Sequence, residues 1–176
     1  MSRRGPIAVD PLDLHPHLVP RLCEEFTREW PAWCGSVTRR RLEACFASAS
    51  DGGLPIVFVA HEGGLPLGTV SLRPWFAEEP MPESPWVRGL LVFPEFRGGA
   101  VLRALESAVE CHARDSGFPY LYAGTTAIER SLSRRGWKVF RRVTHEGEDM
   151  AWMRKLVSGT NFGGGRRLAD ESEIRT

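Results

Sequence analysis

From Val87 to Leu105 the chain reads Val-Arg-Gly-Leu-Leu-Val-Phe-Pro-Glu-Phe-Arg-Gly-Gly-Ala-Val-Leu-Arg-Ala-Leu. An apolar, strand-like run stops at a proline, passes two glycines and resumes with helical spacing. A helix that starts at such a loop offers its first backbone N–H groups without intrahelical partners. Its dipole adds partial positive charge at the same end. Together these make a seat for a diphosphate. Small residues at Gly98, Gly99 and Ala100 let an anion approach the main chain, and Arg97 and Arg103 add charge nearby. On pattern alone, an ordinary strand-turn-helix connection fits the same residues.

Other chemically capable residues are less organised. His15 and His17 flank Pro16, but two histidines without further ligands nearby in sequence give no metal site. The cysteines Cys23, Cys34, Cys45 and Cys111 are scattered, with no C-x-x-C pair, and read as reduced packing thiols. Glu24 and Arg28, four apart on a helical stretch, read as a surface pair. The 176 residues fit one domain with a real core. A net charge of +1 argues against a nucleic-acid partner. With no signal peptide and no apolar run of ~20 residues, the expectation is a soluble, cytoplasmic protein without a membrane partner.

The elements that must position these residues follow from periodicity. Ile7-Ala8-Val9 reads as a first strand. Leu18, Leu22, Phe26 and Trp30 form one stripe of a helix that Trp30-Pro31-Ala32-Trp33 breaks. Thr38 is a candidate N-cap for a second helix through Leu42, Cys45 and Phe46, ended by Asp51-Gly52-Gly53. Ile56–Ala60 and Leu67–Leu72 flank a Glu62-Gly63-Gly64 turn, a hairpin signal. After a loop from Trp75 to Pro85 come a strand over Val87–Phe93 and a long helix buried through Leu102, Leu105, Ala108 and Val109, ending near Gly117. Tyr120–Ala123 is a strand, Ala127–Arg135 a short helix, and Trp137–Val143 and Met150–Val157 the last strands. This order predicts an α/β domain with a mixed central sheet flanked by helices over 1–157. The glycine-rich, charged segment 158–176 reads as a flexible tail.

The segment around Pro94 resembles the acyl-CoA-binding motif of the GNAT superfamily, where a strand leads through a proline turn into Arg/Gln-x-x-Gly-x-Gly/Ala. The element order from about residue 6 to 157 is similar too. So are Trp30-Pro31-Ala32-Trp33, Gly68-Thr69-Val70-Ser71-Leu72, Thr125-Thr126 and Arg135-Gly136-Trp137. Two positions depart from the motif: Ala100 replaces its first glycine, and Leu102 its second Gly/Ala.

The resemblance implies a single-domain GNAT-like fold and an N-acetyltransferase using acetyl-CoA as cosubstrate, with no metal. Its acceptor would be a primary amine of a small molecule, such as an aminoglycoside or polyamine-like cation, or of a peptide, attacking directly in a ternary complex. Many relatives dimerise through the C-terminal strands, so a homodimer is open. Cofactor contacts then fall on Leu90, Leu91, Val92, Arg97, Gly98, Gly99, Ala100, Val101, Leu102 and Arg103, with pantetheine beside Leu90 and Val92 and the Leu90 amide as oxyanion donor. The tyrosine that usually protonates the leaving thiolate maps to Leu132, leaving Ser131, Ser133, Tyr122 or water. The usual glutamate base maps to Trp86, leaving Glu83 just upstream, with Glu78 and Glu79 in the same loop, or all three as solvated charges. Glu24, Glu25 and Glu29 could form an acidic rim for a cationic acceptor. Thr125 and Thr126 either orient the acceptor or cap the next helix. With its departures, the chain also fits a catalytically silent acyl-CoA-binding or regulatory module.

Overall fold

The computed structural model describes residues 5–47, 53–74, 84–145 and 147–157. Seven strands form one sheet: β1 Ala8–Pro11, β2 Ile56–Glu62, β3 Leu65–Arg73, β4 Trp86–Val92, β5 Tyr120–Thr125, β6 Lys138–His145 and β7 Glu148–Leu156. The helices are α1 Val19–Glu29, α2 Pro31–Gly35, α3 Arg39–Ala44, α4 Ala100–Asp115 and α5 Glu129–Ser133. Across the sheet the order is β1-β2-β3-β4-β5-β7-β6. Every neighbouring pair is antiparallel except β4 and β5, which run parallel. The α/β fold class expected from the sequence is therefore the one observed.

β2 and β3 are nearly continuous in buried residues because helices cover both their faces. On one face Ile56, Phe58, Ala60, Val70 and Leu72 pack against Val101, Leu105, Val109 and Ala113 of α4. On the other, Val57 and Val59 meet Leu22, Cys23 and Phe26 of α1 and Leu42 of α3. A third cluster, Trp86, Tyr122 and Trp152 with Phe140 against it, sits where β4 meets β5.

Several local expectations are corrected. The first helix does end at Trp30, which has non-helical backbone, but Pro31 then opens an unexpected short helix, α2, since proline suits a helix's first turn. The buried stripe of α4 runs through Val101, Leu105, Val109 and Ala113; Leu105 and Val109 belong to the expected stripe, whereas Leu102 and Ala108 are only half-buried. Glu24 pairs with Arg21 rather than Arg28. Arg28 donates instead to Glu25, whose carboxylate is fully buried and is also held by Arg21 at 2.6 Å. Thr38 does cap α3, accepting from the Arg41 N–H through Oγ1. The Asp51-Gly52-Gly53 stop, the glutamate-bearing loop and the 158–176 tail lie wholly or mostly outside the described residues. Among the described residues no helix is long and apolar enough to cross a membrane.

Leu105 is the fully buried centre of the contact between α4 and the sheet. Leu105→Ala is expected to lower unfolding stability by about 2–5 kcal/mol, read from urea denaturation. A loss well under 1 kcal/mol would mean that α4 is not seated as described.

Candidate active site

β4 carries an irregularity that decides the local architecture. Against β3, Thr69 faces Leu91 and Ser71 faces Arg88, so two steps along β3 span three along β4. The extra residue is a bulge, and Gly89 within it has φ +58, a left-handed value. Phe26 of α1 comes within 3.3 Å of where a Cβ on Gly89 would lie, so space also selects glycine here. Ser71 Oγ donates to the Arg88 carbonyl at 3.0 Å, which serves a group at the bulge. Arg73 Nε donates in turn to Ser71 Oγ. Desolvation, and then the nearby Arg73 charge, lowers the pKa of Arg88; desolvation also lowers that of Arg73. Both guanidiniums stay protonated, as arginine does in proteins.

Beyond the bulge, β4 parts from β5. The two strands are joined by one step, Trp86 opposite Tyr122, backed by the Tyr122 N–H donating to the Pro85 carbonyl at 3.0 Å. On its other side β4 stays paired with β3 through Val92. The β4 edge from Leu90 to Val92 therefore faces a gap rather than a strand.

At the end of that gap the chain makes the strand-turn-helix passage anticipated from the sequence. The Phe93 N–H donates to Leu67 O at 2.9 Å, and a tight turn over Pro94–Phe96 redirects the chain. Gly99 then stands at the N-cap of α4 with φ +100, a backbone conformation that suits glycine. A Cβ there would lie 2.8 Å from Arg103 Nη1, which shows that Arg103 folds back over the loop. The first helical bond runs from the Arg103 N–H to Gly99 O at 3.0 Å. The amides of Ala100, Val101 and Leu102 are thus first-turn donors, and no acidic residue occupies that turn.

A cleft of about 300 Å³ joins the gap to the helix start. Seven residues expected from the sequence line it: Leu90, Leu91, Val92, Arg97, Gly98, Gly99 and Leu102. Ala100 and Arg103 are exposed beside it, whereas the Val101 side chain is core and could offer only its amide. Two further lining residues stand at the end of α1: Glu29, expected as part of an acidic rim, and Trp30, expected mainly as a packing residue with the alternative of lining the acceptor pocket. Glu29 Oε2 accepts from Arg97 Nη2 at 2.7 Å, and Arg97 Nε reaches the Val92 carbonyl. Trp30 is more than a third exposed, so it is a lining residue rather than a core residue of the α1 stripe.

The expected proton-handling residues are not gathered in this cleft. Leu132 is buried in the main core, so the position matched to a tyrosine points away from solvent. Ser133 is exposed on α5, and Ser131 is half-buried. Tyr122 lies at the closed end of the gap, its ring 5.7 Å from that of Trp86. Glu83, Glu78 and Glu79 lie outside the described residues. Thr125 Oγ1 accepts from the Ala127 and Ile128 N–H groups in the turn before α5, whose N-cap is Ile128. Glu24, Glu25 and Glu29 each pair with an arginine, so they do not form a free acidic rim.

No protein-family model and no curated protein matches the chain in sequence. Solved structures do match in fold. The structure of yncA from Salmonella typhimurium with its cofactor acetyl-CoA aligns with a TM-score of 0.70 at 18% identity, over 89% of this chain and 96% of that one. Aminoglycoside 6'-acetyltransferase type Ii aligns with a TM-score of 0.70 at 16% identity, over 89% and 100%. Ribosomal-protein-alanine N-acetyltransferase from Brucella melitensis gives 0.67 at 20% identity, over 86% and 99%. The chain therefore has the fold of the GNAT acetyltransferases.

The ion pair between Glu29 and Arg97 offsets one positive charge at the mouth of the helix seat. Glu29→Gln is expected to tighten inorganic pyrophosphate about two- to fivefold at low salt, the range of a partly exposed pair. The gain should shrink as salt rises. Calorimetry checks this, and unchanged or weaker binding would contradict the role given to the pair.

Proposed function

We propose that this chain is an acetyl-CoA-dependent N-acetyltransferase acting on a primary amine of a small molecule or peptide. The observation that carries the reading is the parted β4–β5 edge ending on the open first turn of α4. That arrangement supplies a main-chain edge and an anion seat in one cleft, within a fold shared with an acetyl-CoA-bound structure.

The residues present fit such a cosubstrate. The amides of Ala100, Val101 and Leu102 would hold its diphosphate, with Arg97 and Arg103 supplying charge. The edge at Leu90, Leu91 and Val92 would pair with its amide-bearing arm as a missing strand would. When bound, acetyl-CoA supplies an activated thioester whose carbonyl carbon takes the amine as the C–S bond breaks. The Leu90 N–H, placed beside the bulge, would stabilise negative charge on the carbonyl oxygen. The amine must arrive neutral and the thiolate must gain a proton. Tyr122, at the closed end of the gap, and Glu83, upstream of β4, are the residues proposed to handle those protons directly or through water. Ser133 is a weaker choice because it is exposed on α5, whereas Tyr122 stands opposite Trp86 where β4 and β5 still pair. With its acidic residues paired to arginines, the site supports an amine acceptor without requiring a polycation.

One observation favours a second reading, a silent acyl-CoA-binding module. Leu132 is committed to the core at the position matched to the family's tyrosine. Calorimetry with coenzyme A and thiol release across a panel of amines separate the two readings. The enzyme reading expects both binding and amine-dependent thiol release. Binding without turnover on any amine supports the silent module, and no binding removes both. In an active protein, Arg97→Ala is expected to raise KM for acetyl-CoA about tenfold, the worth of a hydrogen bond to a charged group. Its kcat should change little, because Arg97 lies at the diphosphate end; an equal fall in kcat at unchanged KM would contradict this placement.

A further inference from the structure

His15 does not work with its sequence neighbour His17. The fold brings it to Asp10 on β1 and His61 on β2. In the β1–β2 ladder Ala8 faces His61 and Asp10 faces Val59, so Asp10 and His61 are diagonal neighbours on one face. His15 sits between two tight turns, Leu12–Leu14 and Pro16–Leu18. Its N–H donates to Leu12 O at 2.8 Å and its carbonyl accepts from the Leu18 N–H at 2.9 Å. Leu12 and Leu18 are both buried, so the backbone carrying the ring is anchored on each side.

Both imidazoles direct Nε2 at the same carboxylate oxygen. Asp10 Oδ2 lies 2.8 Å from His61 Nε2 and 3.1 Å from His15 Nε2. The rings are tilted by 54° with centroids 4.4 Å apart. All three donor atoms fall within 4.8 Å of one another. Two imidazole nitrogens and a carboxylate are borderline and hard donors of the kind that zinc and its neighbours take. A tetrahedral ion bonded at about 2.0–2.2 Å needs donor atoms about 3.3–3.5 Å apart, so the two Asp–His contacts need to open by only a few tenths of an ångström. Partial exposure of Asp10 and His15 leaves a path for the ion and room for a water as fourth ligand.

We propose that Asp10, His15 and His61 form a binding site for one divalent first-row transition metal, with zinc the best match. The ion would tie β1 to β2 and fix the turn leading into α1. It is independent of the acetyl-transfer reading. The affinity is set by the second nitrogen of His61. Its Nδ1 is buried and has no hydrogen-bond partner. Ligation through Nε2 moves the ring proton to Nδ1, where no acceptor supports it. An absent outer-shell partner weakens metal binding about 10–100-fold, so micromolar rather than nanomolar affinity is expected.

The test uses the full chain without a histidine tag, stripped with chelator. Co²⁺ is followed by its visible absorption and Zn²⁺ by competition with a chromogenic chelator. One equivalent of zinc with a micromolar Kd and a raised thermal midpoint is expected. His15→Gln and Asp10→Asn should each weaken binding at least about tenfold, in keeping with loss of a first ligand, while His17→Gln should leave it unchanged. Circular dichroism confirms that each variant is folded, and the partly exposed His15 makes its variant the safer arm if Asp10→Asn is not. The proposal is overturned if the folded protein takes up no zinc below millimolar concentration. It is equally overturned if His15→Gln binds zinc as the parent does, which would place the ion elsewhere.

Discussion

The structure turns on the parting of β4 from β5. Half of a strand's main-chain groups point away from each neighbour, and leaving such groups without partners costs about 1–3 kcal/mol each where water is excluded. The fold keeps this edge open by two devices in the chain itself. Gly89 takes a left-handed conformation and inserts an extra residue, with Phe26 packed against the spot a side chain would fill. The turn at Pro94 then carries the chain out of the sheet plane into α4. In the proposed function, the arm and diphosphate of a coenzyme supply the partners that a strand would otherwise provide.

The surroundings are consistent with that constraint. The apolar stripe of α4 presses the helix onto β2 and β3, which fixes where its first turn points. On the opposite face α1 brings Phe26 to the bulge and Glu29 and Trp30 to the cleft. The chain therefore builds the cleft from both faces of the sheet. The Arg97–Glu29 ion pair spans it, joining the loop before α4 to the end of α1.

The fold was largely legible because its signals are local. Alternating and continuous apolar runs marked the strands, glycines and prolines marked the turns, and Thr38 marked a helix start that the structure places within one residue. The helix seat was legible too, since a strand, a proline turn and two glycines are contiguous in sequence. What escaped was contact between distant segments. In sequence Glu29 reads as part of an acidic rim and Trp30 mainly as packing, because nothing in their spacing shows that α1 ends beside Arg97. The start of the α4 stripe reads as Leu102 instead of Val101 because both are apolar and only the sheet decides between them. His61 lies forty-six residues from His15, near the end of a mostly apolar strand, so no ligand spacing could reveal the cluster.

The account rests on a coenzyme lying along the β4 edge with its diphosphate at the start of α4. Backbone amide NMR of the isotopically labelled protein, titrated with coenzyme A, addresses that directly. The amides of Gly99, Ala100, Val101 and Leu102 should shift together with Leu90 and Val92, while β6 stays unperturbed. Saturable shifts confined to another surface, with those amides unmoved, would contradict it.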